Sequence, residues 1–209
     1  VEELKGFTPI IGSALYQIGE VDLRAGRLTD AEDHFRSAHE HGFVPMPGIA
    51  ELRLREGSPE AAQQLLRDAL DQESRGPLAR ARFLPSLMRA ELALGRIAES
   101  REALTELEHV ADLTKSIAMR SAAAHGRAAL AISTGEPTSA VQDLRGAIAG
   151  WSELQMPYEA AESRLLLAEA QNAVGKVSAA QLEKDSARAT FQRLGAESDV
   201  RRVDELLLG

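Results

Sequence analysis

The chain has 209 residues, enough for a sizeable core, and a formal net charge of −8 at pH 7. That acidic balance is the opposite of the basic face that neutralises a phosphate backbone, so direct nucleic-acid contact by this segment is not expected. Cysteine is absent and no run of eighteen apolar residues occurs, which excludes a disulfide framework, a thiolate nucleophile and a membrane-spanning helix and points to the cytoplasm.

Aromatic residues make up 4% of the chain against 44% hydrophobic, so the interior is expected to be Leu, Ala, Val and Ile at close spacing. Alternating strand-like stretches are missing, and the predicted class is all-α. Val1-Glu2-Glu3-Leu4-Lys5 lacks the basic and apolar regions of a signal peptide, and a start at Val1 without Met reads as a piece of a longer chain.

Helix pairs are predicted at roughly 9–25 with 28–41, 46–56 with 58–73, 78–94 with 97–114, 117–134 with 137–153, and 157–174 with 177–194, followed by a capping helix at about 197–208. Five units share one register. Gly26, Gly57, Gly95, Gly135 and Gly175 are each followed five residues on by Ala31, Ala62, Ser100, Ala140 and Ala180. Nine residues on come Phe35, Leu66, Leu104, Leu144 and, as the exception, Lys184; twelve on come Ala38, Ala69, Leu107, Ala147 and Ala187. Seven residues before the glycines stand Gly19, Ala50, Met88, Ala128 and Ala168.

Glycine at positive φ ends one helix, and positions five, nine and twelve on lie along one face of the next. The small residues let helices approach, and the large one fills the gap between them. Ser58-Pro59-Glu60 reads as a cap with Pro at the first helical position, Thr29-Asp30 opens a second helix, and Pro77, Pro137 and Pro157 mark first turns. Pro85 should kink the third pair's first helix or delay its start.

These offsets resemble the tetratricopeptide motif, whose repeat is about 34 residues. The resemblance implies a right-handed superhelical array of about five hairpins, 1–209 forming one repeat domain, with a C-terminal capping helix. Several phrases also resemble the helical region of large LuxR-type bacterial transcriptional regulators. They are Tyr16-Gln17-Ile18-Gly19-Glu20 with Leu23-Arg24-Ala25-Gly26, Pro45 to Ala50 with Leu54 to Gly57, Pro77 to Pro85, Trp151 to Leu154, Pro157 to Ala161, Leu165 to Ala168 and Phe191 to Ala196. In that family a DNA-binding helix-turn-helix follows this region, and a nucleotide-binding ATPase precedes it. The implied role is a sensor or protein-interaction segment that relays effector or partner binding to the DNA-binding module. The alternative is a free-standing tetratricopeptide scaffold that docks a peptide or protein.

No constellation for catalysis stands out. Gly175-Lys176-Val177-Ser178 is like the end of a phosphate-binding loop but lacks its first glycine and its Ser/Thr. His34 and His41 lie two turns apart, roughly 10 Å, too far to share a metal. His109 and His125 have no nucleophile or carboxylate motif beside them, and Trp151 and Tyr158 read as packing the corner between two hairpins. No enzyme activity, cofactor or metal is expected.

In stacked hairpins the first helices line a concave groove, which takes a small effector, a peptide or protein partner, or neighbouring domains of the same chain. Residues ten, six and two before each turn glycine should face it. The larger polar ones are Tyr16, Glu20, Arg24, Glu51, Arg55, Arg89, His125 and Glu169.

Overall fold

A computed structural model describes residues 8–208; the reading of Val1 to Lys5 lies outside them. The described residues form twelve helices and no strand: α1 (Thr8–Ala25), α2 (Leu28–Glu40), α3 (Gly48–Arg55), α4 (Pro59–Gln72), α5 (Pro77–Ala81), α6 (Leu84–Ala93), α7 (Ile97–Thr114), α8 (Ile117–Ser133), α9 (Pro137–Glu153), α10 (Pro157–Ala173), α11 (Val177–Leu194) and α12 (Glu197–Leu208). None is long and apolar enough to cross a membrane.

The five turn glycines all have φ between +70° and +80°. In this conformation the amide of the residue after the glycine reaches back to close the helix's last turn, as Arg27 N to Asp22 O at 2.9 Å and Arg96 N to Glu91 O at 2.8 Å. Two differences from the predicted elements have local causes. Pro45 and Pro47 hold Val44 and Met46 out of helical backbone, so α3 starts at Gly48 rather than near 46. Pro85 divides the third pair's first helix: α5 stops at Ala81, and α6 restarts with Pro85 in its first turn, where the missing N–H leaves no bond unmade. Ser58 caps α4 by position with Pro59 following, but its side chain makes no capping bond.

The repeat register is the core. Ala31, Ala62, Ser100, Ala140 and Ala180 are all fully buried, as are Phe35, Leu66 and Leu144. Lys184 departs because its amine leaves the interior and donates to the Leu206 carbonyl of α12 at 2.5 Å. Phe191 fills the last unit instead, edge-on to Tyr158 with ring centroids 5.4 Å apart.

Successive pairs pack side by side, and the first helices α1, α3, α6, α8 and α10 also touch one another in that order. The row then closes, because α12 packs back onto α1. Ser198 at its start sits against the Gly26 turn, where a Cβ on Gly26 would lie 2.7 Å from the Ser198 Cβ.

Phe35 governs the approach of the first two hairpins. Its ring is wedged between Gly19 of α1 and Gly48 of α3, where added Cβ atoms would lie 2.6 and 2.7 Å from ring carbons. Gly126 of α8 is equally close to Met88, at 2.6 Å, but there the neighbour is the mobile methyl end of a flexible side chain. Gly19→Ala is therefore expected to cost about 2 kcal/mol as the rigid ring is displaced. Gly126→Ala is expected to be neutral or to stabilise by up to ~1 kcal/mol, since alanine is the better helix former. Equal losses in urea unfolding would contradict this packing.

Candidate functional site

The inward faces of α1, α3, α6, α8 and α10 line a half-open cavity of about 420 Å³. Its wall is mainly apolar, with Leu23, Met88, Leu92, Met119, Trp151 and Met156 among the side chains that face it. Small residues supply the room: Ala118, Ala122 and Ala129 of α8 lie on the wall where bulkier side chains would fill the space. The volume and character are those of a small-molecule pocket.

A layer of charged and polar groups crosses the interior beside this cavity. Glu51 of α3 pairs with Arg89 and accepts a hydrogen bond from Ser86, both of α6. Arg55 of α3 donates to Asp199 Oδ1 and Oδ2 of α12 at 3.4 and 3.3 Å, to Ser198 Oγ at 3.1 Å, and to the Tyr158 hydroxyl of α10. Tyr158 in turn donates to Asp199 Oδ2 at 2.8 Å. Arg202 of α12 pairs with Glu162 of α10 and lies 3.2 Å from Asp199 Oδ1. Arg24 of α1 reaches Glu159 of α10 at 3.1 Å, and its guanidinium lies 4.8 Å from the centre of the Tyr158 ring.

Ion pairs inside a protein are stable only when both members are matched and their remaining hydrogen-bond capacity is used. That condition holds here. Burial pushes the Tyr158 hydroxyl up, which keeps it a donor to Asp199. Burial raises the Glu162 carboxyl as well, but Arg202 and Arg89 outweigh it and hold the group below the usual carboxylate range. On the far side of this layer a second cavity of about 420 Å³ opens between α12 and the first two hairpins, beside Arg201 and Arg202.

Two wall groups stand apart from the pairing. Glu20 has the Tyr16 hydroxyl as its hydrogen-bond partner, and burial raises its carboxyl above the ordinary value. His125 Nδ1 lies 2.9 Å from Ser163 Oγ, and Ser163 gives its only proton to the Glu159 carbonyl at 2.9 Å. Ser163 therefore accepts from His125, which makes Nδ1 the protonated nitrogen and leaves Nε2 an acceptor. Burial, reinforced by nearby Arg89 against the opposing pull of Glu162, lowers His125 to about 4 and keeps the ring neutral.

Neither a known protein-family model nor a curated protein matches the chain.

Of the eight residues selected from the register, Glu20, Arg24, Glu51, Arg55, Arg89 and His125 line the first cavity. Tyr16 lies behind that wall, packed on Phe35 and Phe43 with centroids 5.6 and 5.1 Å away. Glu169 is exposed and faces away from the cavity. In the last unit the wall is built from Tyr158, Glu159 and Glu162 instead, two to three helical turns earlier. Trp151 does pack its corner, against Ala118, Ala122 and Met156, while also lining the cavity. His34 and His41 are occupied locally, with His34 Nδ1 2.7 Å from Asp22 and His41 Nδ1 2.8 Å from the Ser37 carbonyl. Among the described residues no cluster of three His, Asp or Glu could hold a metal ion.

The neutral histidine has a thermodynamic signature. An unfolded histidine titrates near 6.5 and folded His125 at about 4, so between these values only the unfolded chain takes up the proton. The contribution is complete above pH 6.5 and is lost as pH falls toward 4, reaching roughly 2–3 kcal/mol. Melting temperature should thus fall more steeply from pH 6.5 to 4 for the wild type than for His125→Gln. Parallel profiles would show that His125 is solvated.

Proposed function

We propose that the chain is a sensor segment that takes a small amphipathic effector in the cavity between its first helices. The observation that carries this reading is the cavity itself: a mainly apolar space of about 420 Å³ to which all five hairpins contribute. A right-handed tetratricopeptide-like superhelix, curled tightly enough for its ends to meet, accounts for the repeat register and for the contact of α12 with α1.

In the regulator to which the sequence bears a resemblance, binding would be relayed mechanically. An effector that ties several first helices together favours one curvature over another. The ion pairs from α3 and α10 to Asp199 and Arg202 then carry that curvature to α12. A DNA-binding module attached beyond α12 would feel the change as a shift in position.

A panel of metabolites smaller than 500 Da, screened by thermal shift, tests this. A ligand present at 100 times its Kd is expected to add about 2.7 kcal/mol of stability. Ala122→Phe, which fills the cavity, is expected to retain the unliganded melting temperature within about 3 °C and abolish the shift. Hydrogen exchange in α12 should slow on binding. A shift that persists in Ala122→Phe, or a panel without any shift, would contradict the proposal.

A further inference from the structure

Resting on the reading of the cavity as an effector site, we propose that it selects a ligand that donates hydrogen bonds, an uncharged alcohol or a protonated amine carried on an apolar body, and rejects carboxylates and phosphates. Anionic ligands are bound by guanidinium groups with donors to spare. Three of the four guanidiniums on this wall are committed to carboxylates, and the fourth, Arg82, rests on an aromatic ring. Arg24 is on Glu159, Arg55 on Asp199, Arg89 on Glu51, and Arg82 lies 4.4 Å over the Phe83 ring and 3.7 Å from Glu73. At Arg24, Arg55 or Arg89 an entering carboxylate would have to break the existing pair and leave its protein partner uncompensated.

Acceptors, by contrast, are open. With Nδ1 donating to Ser163, the Nε2 of His125 makes no hydrogen bond among the described residues. Glu20 has one hydroxyl partner, Tyr16, and among the described residues no arginine at ion-pair distance, so its carboxylate retains unused lone pairs. Both lie on the wall of the same cavity, His125 on α8 and Glu20 on α1, with the apolar surface of Met88, Met119 and Trp151 lining the rest. A ligand with one or two donors and an apolar body satisfies them without disturbing a single ion pair. An acceptor-only ligand would leave them unmatched.

Trp151 is the only tryptophan of the chain and lies on this wall, so its fluorescence reports occupancy directly. Three probes with the same chain length separate the possibilities: 1-octanol, octylammonium and octanoate, titrated against the whole chain at pH 7. Saturable changes with 1-octanol and octylammonium are expected, with octanoate at least tenfold weaker. His125→Phe should weaken 1-octanol by about tenfold, and His125→Gln, whose amide oxygen accepts, should recover most of that loss. Octanoate binding as tightly as 1-octanol would overturn the donor rule while leaving the cavity as a binding site. No saturable Trp151 response to any probe would overturn the effector site itself.

Discussion

Asp199 is the most consequential charge in the molecule. Its side chain is only 2% exposed, and it satisfies that burial by collecting Arg55 from α3, Tyr158 from α10 and Arg202 from its own helix. A lone buried carboxylate would cost several kcal/mol, so the three partners and Asp199 stand or fall together. Because they come from the second hairpin, the fifth hairpin and the final helix, their meeting is what brings the end of the chain against its beginning. It seats α12 beside the first helices, where its residues Ser198, Asp199, Arg201 and Arg202 wall the second cavity.

The remaining packing makes that closure geometrically possible. Five buried small residues, Ala31, Ala62, Ser100, Ala140 and Ala180, set the helix spacing within the pairs. Gly19 and Gly48 then admit the Phe35 ring between α1 and α3, and Gly126 admits Met88 between α6 and α8. Met88 occupies a position that is small in every other unit, and the glycine opposite is its complement. The same economy of side-chain volume leaves α8 with alanines on its inner face, so the tight array still holds an empty centre.

The helices were largely legible because their signals are local, although the eleven predicted became twelve where 78–94 divides into α5 and α6. Glycine at positive φ, proline in the first turn and one small residue per repeat each act within a few residues of where they stand. Within the first four units, extending the same register placed Glu20, Arg24, Glu51, Arg55, Arg89 and His125 on the interior wall. It failed in the fifth, where Glu169 was selected, because it is the N-terminal part of α10, with Tyr158, Glu159 and Glu162, that faces the cavity. Tyr16 failed for a different reason: its ring found Phe35 and Phe43 before it could reach the cavity. The closing cluster was illegible altogether, since Arg55 and Asp199 are 144 residues apart and no local pattern links them.

Closure by Asp199 is tested most directly with a double-mutant cycle in urea on Arg55→Ala and Asp199→Ala. Each single change leaves the other charge buried and should destabilise strongly, while the double change should cost much less than the sum. The expected coupling is about 2 kcal/mol, because Arg55 reaches both carboxylate oxygens of Asp199. Additive losses, with a coupling within ~0.5 kcal/mol of zero, would mean that the Arg55–Asp199 contact does not hold α12 against the second hairpin.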